Sequence, residues 1–370
     1  MGMHLAFGES LGRVGKSDEL SMMRLDRLGA ALVWAALSLL SPVSCAPEPP
    51  PPAGSKLPTA LAYQLFCLEH SSERFPEQPG RITVILDRLK QAGLTERLRV
   101  LHPLPATLET IGLVHTPAYI DHVRQTCRGL KEGVASLDRA DVVVSCRSFE
   151  VAVAAVGIPL GAVDEVMQGR VANAFCVLRP PGHHAQREQA MGFCIFNNVA
   201  ITAKYLQTRW NLKKVLIVDW DAHHGNGTQE IFYQDGSVFY FSTHCTPLFP
   251  QTGSEEERGK GSGKGCILNV PLPRWSGDAD IRRVYEEKLK PAVLAFKPDF
   301  ILISAGFDSQ MGEEAGKLNI TAPCFGYMTR VVKELADTCC KGRLVSVLEG
   351  GYDLRKLPDA AEAHVRALME

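Results

Sequence analysis

The 11 cysteines of this sequence include no CxxC pair. They are scattered from Cys45 to Cys340, with Cys339 and Cys340 adjacent, which argues against a zinc ribbon and a disulfide framework. Neither charge sign dominates: 40 Lys and Arg face 41 Asp and Glu, so no global field favours nucleic acid or an anionic membrane. Direct nucleic-acid binding is therefore not expected, and any charged partner must be recognised locally. There is no internal repeat. The run Gly259-Lys260-Gly261-Ser262-Gly263-Lys264-Gly265 lacks the spacing and the following helix of a phosphate loop, so residues 251–265 read as a mobile rim loop. What is present is a 370-residue chain, 45% apolar, able to bury a large core as one domain with an N-terminal extension.

The extension has its own pattern. Arg24 and Arg27 precede an apolar run, Leu28–Leu40, that ends in Ser41-Pro42-Val43-Ser44-Cys45, the layout of a secretory signal. That run is shorter than the roughly 20 residues of a membrane span, so cleavage is expected rather than anchoring by a helix. Ser44-Cys45 resembles a bacterial lipoprotein processing site, with Pro42 departing from the usual pattern; membrane attachment is expected only if Cys45 is lipidated. The other reading is a disordered extension, with Met22 or Met23 as the start. The division expected is thus a leader over 1–45, a Pro-rich, PPII-like linker over 46–56 and a folded domain over 57–370. A working leader places the protein in the periplasm or on a membrane, and otherwise the cytoplasm is expected.

From Leu57 onward short apolar runs alternate with longer amphipathic stretches. The runs Leu61–Phe66, Ala174–Leu178, Lys214–Val218, Val238–Phe241, Phe300–Ser304 and Leu344–Leu348 read as strands. Thr83–Gln91, Pro117–Cys127, Phe149–Met167, Asn197–Thr208, Ala279–Ala295 and Pro323–Cys339 carry apolar residues at helical spacing. Strands alternating with helices predict a three-layer α/β architecture, a central, mostly parallel sheet covered on both faces.

In such sheets ligands bind beyond the carboxyl ends of the strands. Four predicted strands lead into reactive side chains there: His183-His184, Asp219 to Gly227, Asp308, and Glu349-Gly350-Gly351-Tyr352. Asp221 and His223 are two apart, so on extended backbone both point to one face and can share a metal, with Asp308 completing the set. Three N/O ligands, no thiolate and an open position for water describe a catalytic zinc site. A lone DxH is more often a turn with a salt bridge; joined to Asp308 and the histidine pair, that reading loses. The Asp221-Ala222-His223 triplet also resembles that of arginase-like enzymes, which hold two manganese ions with a further carboxylate two residues on; here that residue is Gly225, so a single metal is expected and His224 reads as buried or supporting. His183 and His184 can transfer protons as neutral imidazole and imidazolium. Asp219 is a carboxylate partner for one of them and Asn226 an amide partner for the other, which predicts different basicities. Tyr352, after two glycines, can aim its hydroxyl at a carbonyl and stabilise an oxyanion opposite the metal; core filler is its other reading.

At these residues a resemblance becomes plain. The segments RPPGHHA, MGFCIFNN, DWDAHHGNGTQ, AGFDS and EGGYD resemble, in order and spacing, the signature segments of the histone deacetylase and acetylpolyamine amidohydrolase superfamily, from about Leu61 to the C-terminus. The resemblance implies the arginase/deacetylase fold, zinc on Asp221, His223 and Asp308, His183 and His184 as the catalytic pair, and Tyr352 as the carbonyl-polarising residue. Asn226 makes the chain similar to the class II group and its bacterial relatives. The resemblance further implies an acyl-lysine tunnel walled by Phe193 and Phe249, with the Gly192 carbonyl facing the substrate. It also implies a structural potassium among Asp219, Asp221, His223 and Ser242, with another near Phe232 and Val238. Ordinary core packing is the other reading of the two phenylalanines.

Three functions follow: a zinc-dependent deacetylase of acetyl-lysine in proteins or peptides, a small-molecule amidohydrolase of acetylated polyamines or other amines, and an inactive acyl-lysine binder. The last is weakened by the presence of every expected catalytic residue. Polyamine-preferring relatives carry an acidic gatekeeper where this chain has Ala315, with Glu313 and Glu314 close by; Asp141 is the nearest candidate for a rim carboxylate, with an exposed loop acid as its other reading. Export would make histones implausible substrates.

Overall fold

The computed structural model describes residues 56–71 and 75–370; the leader over 1–45 and the linker up to residue 55 lie outside the described residues. Ten strands run in chain order: β1 (Thr59–Tyr63), β2 (Arg99–Leu101), β3 (Val134–Leu137), β4 (Arg139–Ser145), β5 (Asn173–Val177), β6 (Val215–Asp219), β7 (Val238–Thr246), β8 (Ile267–Pro273), β9 (Phe300–Ala305) and β10 (Leu344–Leu348). Eight of them form one parallel sheet in the order β2-β1-β5-β10-β9-β6-β7-β8, and β3 and β4 form a separate antiparallel hairpin. Every residue of β5, β6, β9 and β10 is buried, as the near-continuous apolar runs of a sheet covered on both faces require. The covering layers are helices. Ser148–Met167 lies on β1, β5 and β10 and packs against Asn198–Trp210; Ala322–Cys340 lies on β9 and packs against Leu357–Met369, which also meets Gly80–Gln91. This is the three-layer α/β fold expected.

Several elements differ from the periodicity. β1 starts at Thr59 and ends at Tyr63, and the predicted strand end becomes a short 3-10 turn, Leu65–Glu69. Edge strands β2 and β8 were not anticipated: β2 has three residues, and β8 contains Pro271 and Pro273, which lack the N–H a central strand needs. The predicted helix Ala279–Ala295 is Asp278–Val284 and Lys290–Phe296 joined by a wide π-helical turn, Tyr285–Leu289, just before Pro291 removes a ladder donor. No helix among the described residues is long and apolar enough to cross a membrane.

The strand order positions the site. β5, β10, β9 and β6 lie side by side, so the segments after Val177, Leu348, Ala305 and Asp219, distant in sequence, emerge together at one edge.

Candidate metal centre and active site

Asp221 and His223 follow β6, and Asp308 follows β9 three residues beyond Ala305. One donor atom from each lies within 4.8 Å of the others. Backbone amides fix the carboxylates: Asp221 Oδ2 accepts the Gly350 N–H (2.8 Å) and its Oδ1 the His223 N–H (2.9 Å), and Asp308 Oδ1 accepts the Ala222 N–H (2.8 Å). Nδ1 of His223 faces Asp221 Oδ1 at 3.0 Å and Asp308 Oδ2 at 2.9 Å. A single Nδ1 hydrogen cannot serve both, and Asp308 Oδ2 is left buried without a hydrogen-bond partner. Burial and the charge of Asp221 push the Asp308 carboxyl above its usual range. Gly306 and Gly350 close the cradle, since a Cβ at either would lie 2.0 Å and 2.6 Å from Asp221 Oδ2. A divalent cation bound to the three donors would satisfy the orphaned oxygen, and one imidazole with two carboxylates is a donor set that suits zinc.

Beside this cluster stand the tandem histidines, whose rings are 4.1 Å apart. His183 Nδ1 donates to Asp219 Oδ2 (3.0 Å) and His184 Nδ1 donates to Asn226 Oδ1 (2.8 Å), which orients both rings and leaves each Nε2 as the atom at which a proton is gained or given up. The partners separate the two rings as the sequence suggests. Burial lowers the basicity of His183, but the charges of Asp219, Asp221 and Glu349 outweigh it and raise the ring to about 10. Burial and positive charge at His183 and His223 hold His184 well below the usual imidazole range. Gly225 is required by close approach: a Cβ there would meet Asp219 Oδ2 at 2.4 Å and the Tyr240 hydroxyl at 2.5 Å. The absent carboxylate at 225 is therefore also an impossible one in this packing.

The cluster lies at a cavity of about 330 Å³ lined by Asp141, His184, Gly192, Phe193, Phe249, His223, Ala315 and Tyr352, with Pro76 and Leu248 added by the structure. Phe249 stands edge-on to His184 (centroids 5.1 Å) and Phe193 edge-on to Tyr352 (5.7 Å). Phe193 has a φ of 65°, uncommon for a bulky residue, directly after Gly192 at 55°. The Gly192 carbonyl accepts from Cys194 Sγ (3.2 Å). Burial and the charge of Asp308 push the Tyr352 hydroxyl well above its usual range, so it is a proton donor in neutral solution. The Arg81 guanidinium sits 4.9 Å from the Tyr352 ring centre.

Other expectations met different fates. Asp141 is no loop acid: it lies on β4, its Oδ2 accepts the Gly192 N–H (3.1 Å), and its Oδ1 is buried without a partner. Glu313 is turned away from the cavity toward backbone amides, and Glu314 is exposed. His224 is buried between Thr252 and Gln229. Ser242 pairs in register with Asp219 across β7 and β6, with its hydroxyl on His244 Nδ1 (2.9 Å); Phe232 and Val238 are both buried. Segment 251–265 is held along its length, by Glu257 on Gln229 and Gly253 and by Lys260 N–H on the Tyr233 carbonyl, rather than hanging free. Sequence reasoning missed Tyr240, whose hydroxyl donates to Asp219 Oδ2 (2.9 Å), and Glu349, whose Oε2 accepts the N–H groups of Gly182 (2.7 Å) and His183 (3.1 Å). Nothing local marks Tyr240, 21 residues from its partner. Glu349 adjoins the two glycines before Tyr352 and was within reach.

Known proteins resemble this chain in sequence and fold. Residues 75–368 match the profile of the histone deacetylase domain. A probable deacetylase of Archaeoglobus fulgidus is 40% identical over 299 residues, covering 80% of this chain and 82% of that protein. The human polyamine deacetylase HDAC10 is 40% identical over 301 residues, 79% of this chain and 44% of that protein. The crystal structure of the HDA15 HD domain is similar with a TM-score of 0.80 at 36% identity, covering 85% of this chain and 89% of that one.

Proposed function

The chain belongs to the histone deacetylase family, and from that premise we propose that it removes the acetyl group from acetyl-lysine in proteins or peptides, using one zinc ion held by Asp221, His223 and Asp308. The observation that carries this reading is the convergence of three donor atoms, one of them an orphaned buried carboxylate oxygen, beside a histidine kept neutral at an apolar-walled cavity. Zinc bound there would act as a Lewis acid on the acyl carbonyl and on water.

The chain's own groups supply the rest. His184 Nε2 takes a proton from water as the oxygen–carbon bond forms, and an imidazolium of the pair returns one to the amine nitrogen as the carbon–nitrogen bond breaks. Asp219 holds His183 and Asn226 holds His184 in the tautomers this needs. The Tyr352 hydroxyl donates to the developing oxyanion. Phe193 and Phe249 grip the methylene stem, and the unpartnered Asp141 Oδ1 is an acceptor for a substrate backbone N–H. The potassium sites belong to the same reading by similarity, with Ser242 beside Asp219 in support. So do the division at residues 45 and 56 and the export of the folded domain, which mass measurement of the mature N-terminus would test.

Against a polyamine, the wall position that would need an acid is Ala315, and the nearby Glu313 is already engaged. The test is acetate release by the zinc-loaded protein from an acetyl-lysine peptide and from acetylated spermidine. Higher kcat/KM on the peptide is expected; preference for the polyamine would overturn the substrate reading.

A further inference from the structure

Glu313 is only 7% exposed and accepts three backbone hydrogen bonds. Its Oε2 takes the N–H of Tyr352 (3.0 Å) and of Asp353 (2.6 Å), and its Oε1 takes that of Ala315 (3.4 Å). One carboxylate therefore joins the cavity-wall residue Ala315 to the backbone of the hydroxyl donor. Two neighbours remove slack from the wall loop. Lys356 Nζ donates to the Met311 carbonyl (2.9 Å), and at Gly316 even a Cβ would meet the Asp308 carbonyl at 2.1 Å. On the other side the Gly350-Gly351 turn is held by Asp221 on the Gly350 N–H (2.8 Å) and by Arg81 on the Gly351 carbonyl (2.6 Å), but Gly351, at a φ of 116° that glycine alone adopts readily, leaves the Tyr352 and Asp353 amides beyond that hold to Glu313. A permissive backbone before a residue that must be placed closely needs an external anchor.

We infer that Glu313 is a positioning residue for Tyr352, and that it makes the wall segment 312–316 and the Tyr352 turn one mechanical unit. The inference rests on the reading in which Tyr352 polarises the acyl carbonyl. Its consequence is that wall-loop changes alter kcat as well as KM.

A double-mutant cycle with amide exchange tests it. Glu313→Ala should lower kcat about tenfold or more with metal content retained, and Glu313→Gln, which keeps one acceptor for the Tyr352 and Asp353 amides, should recover much of that loss. In a Tyr352→Phe background Glu313→Ala should cost almost nothing further, since the group it positions is gone. An undiminished second loss would show that Glu313 acts elsewhere and overturn the inference. Independently of activity, the Tyr352 and Asp353 amides should exchange faster in Glu313→Ala; unchanged exchange would also overturn it. Should the wild-type protein release no acetate while exchange still accelerates, the anchor stands and the deacetylase reading falls.

Discussion

Gly225→Ala adds a single methyl group where the proton-transfer machinery is packed most tightly. The methyl would lie 2.4 Å from Asp219 Oδ2, 2.5 Å from the Tyr240 hydroxyl and 3.1 Å from His183 Nδ1, whereas ordinary contact begins at 3.4 Å. The Asp219 carboxylate must then retreat by about 1.0 Å (3.4 − 2.4), which breaks its 3.0 Å bond to His183. A misplacement of that size costs on the order of 10²-fold in rate, and the overpacking costs about 1–3 kcal/mol of stability. The assay is initial rate of acetate release from an acetyl-lysine peptide, with bound metal and melting temperature measured on the same preparation. We expect kcat to fall about 10²-fold while the three donors keep their metal. A soluble, metal-replete Gly225→Ala protein with near-wild-type turnover would refute the role given to the Asp219–His183 pair.

Asp219→Asn removes the charge without the clash and should lower kcat by roughly 10²–10⁴-fold, the worth of a positioned general acid or base, with pH–rate profiles showing the displaced ionisation. Tyr352→Phe should lose about 10²–10³-fold in kcat with metal and fold intact; near-normal turnover would contradict its assignment. Ala315→Glu should place an anion on the cavity wall and raise the polyamine-to-peptide ratio of kcat/KM by about tenfold, a shift that competition assays read directly. Stability should depend on pH through His364, buried and lowered to about 3 from 6.5. Between these values the unfolded chain binds the extra proton, so this stability is complete above about pH 6.5 and falls with pH, by about 2 kcal/mol at pH 5. In urea titrations His364→Asn should remove about one proton's share of that slope, since burial lowers His70, His115, His224 and His244 in the same direction; an unchanged slope would mean that His364 contributes none of it.

The reactive segments were legible because they follow apolar runs long enough to be strands. His183, Asp221, His223, Asp308 and Tyr352 are each within a few residues of such a run, and a parallel sheet sends all of them to the same edge. Less legible were the groups that hold them. Tyr240, Glu313 and Glu349 are ordinary residues in sequence, and only long-range packing puts them on Asp219, Tyr352 and His183. The loop-acid reading of Asp141 arose because the short strands β3 and β4, which carry it to the cavity wall, were not recognised in the sequence. The C-terminal helix Leu357–Met369 was passed over although its buried Leu357, Ala361, Val365 and Leu368 recur at helical spacing.

The most direct measurement of the central claim is metal-dependent acetate release by the intact protein from an acetyl-lysine peptide, before and after chelation and with Asp308→Ala alongside. The account predicts turnover that disappears on chelation and returns with zinc, and an Asp308→Ala protein that holds no stoichiometric metal and stays inactive. Turnover that survives chelation, or full zinc occupancy in Asp308→Ala, would contradict it.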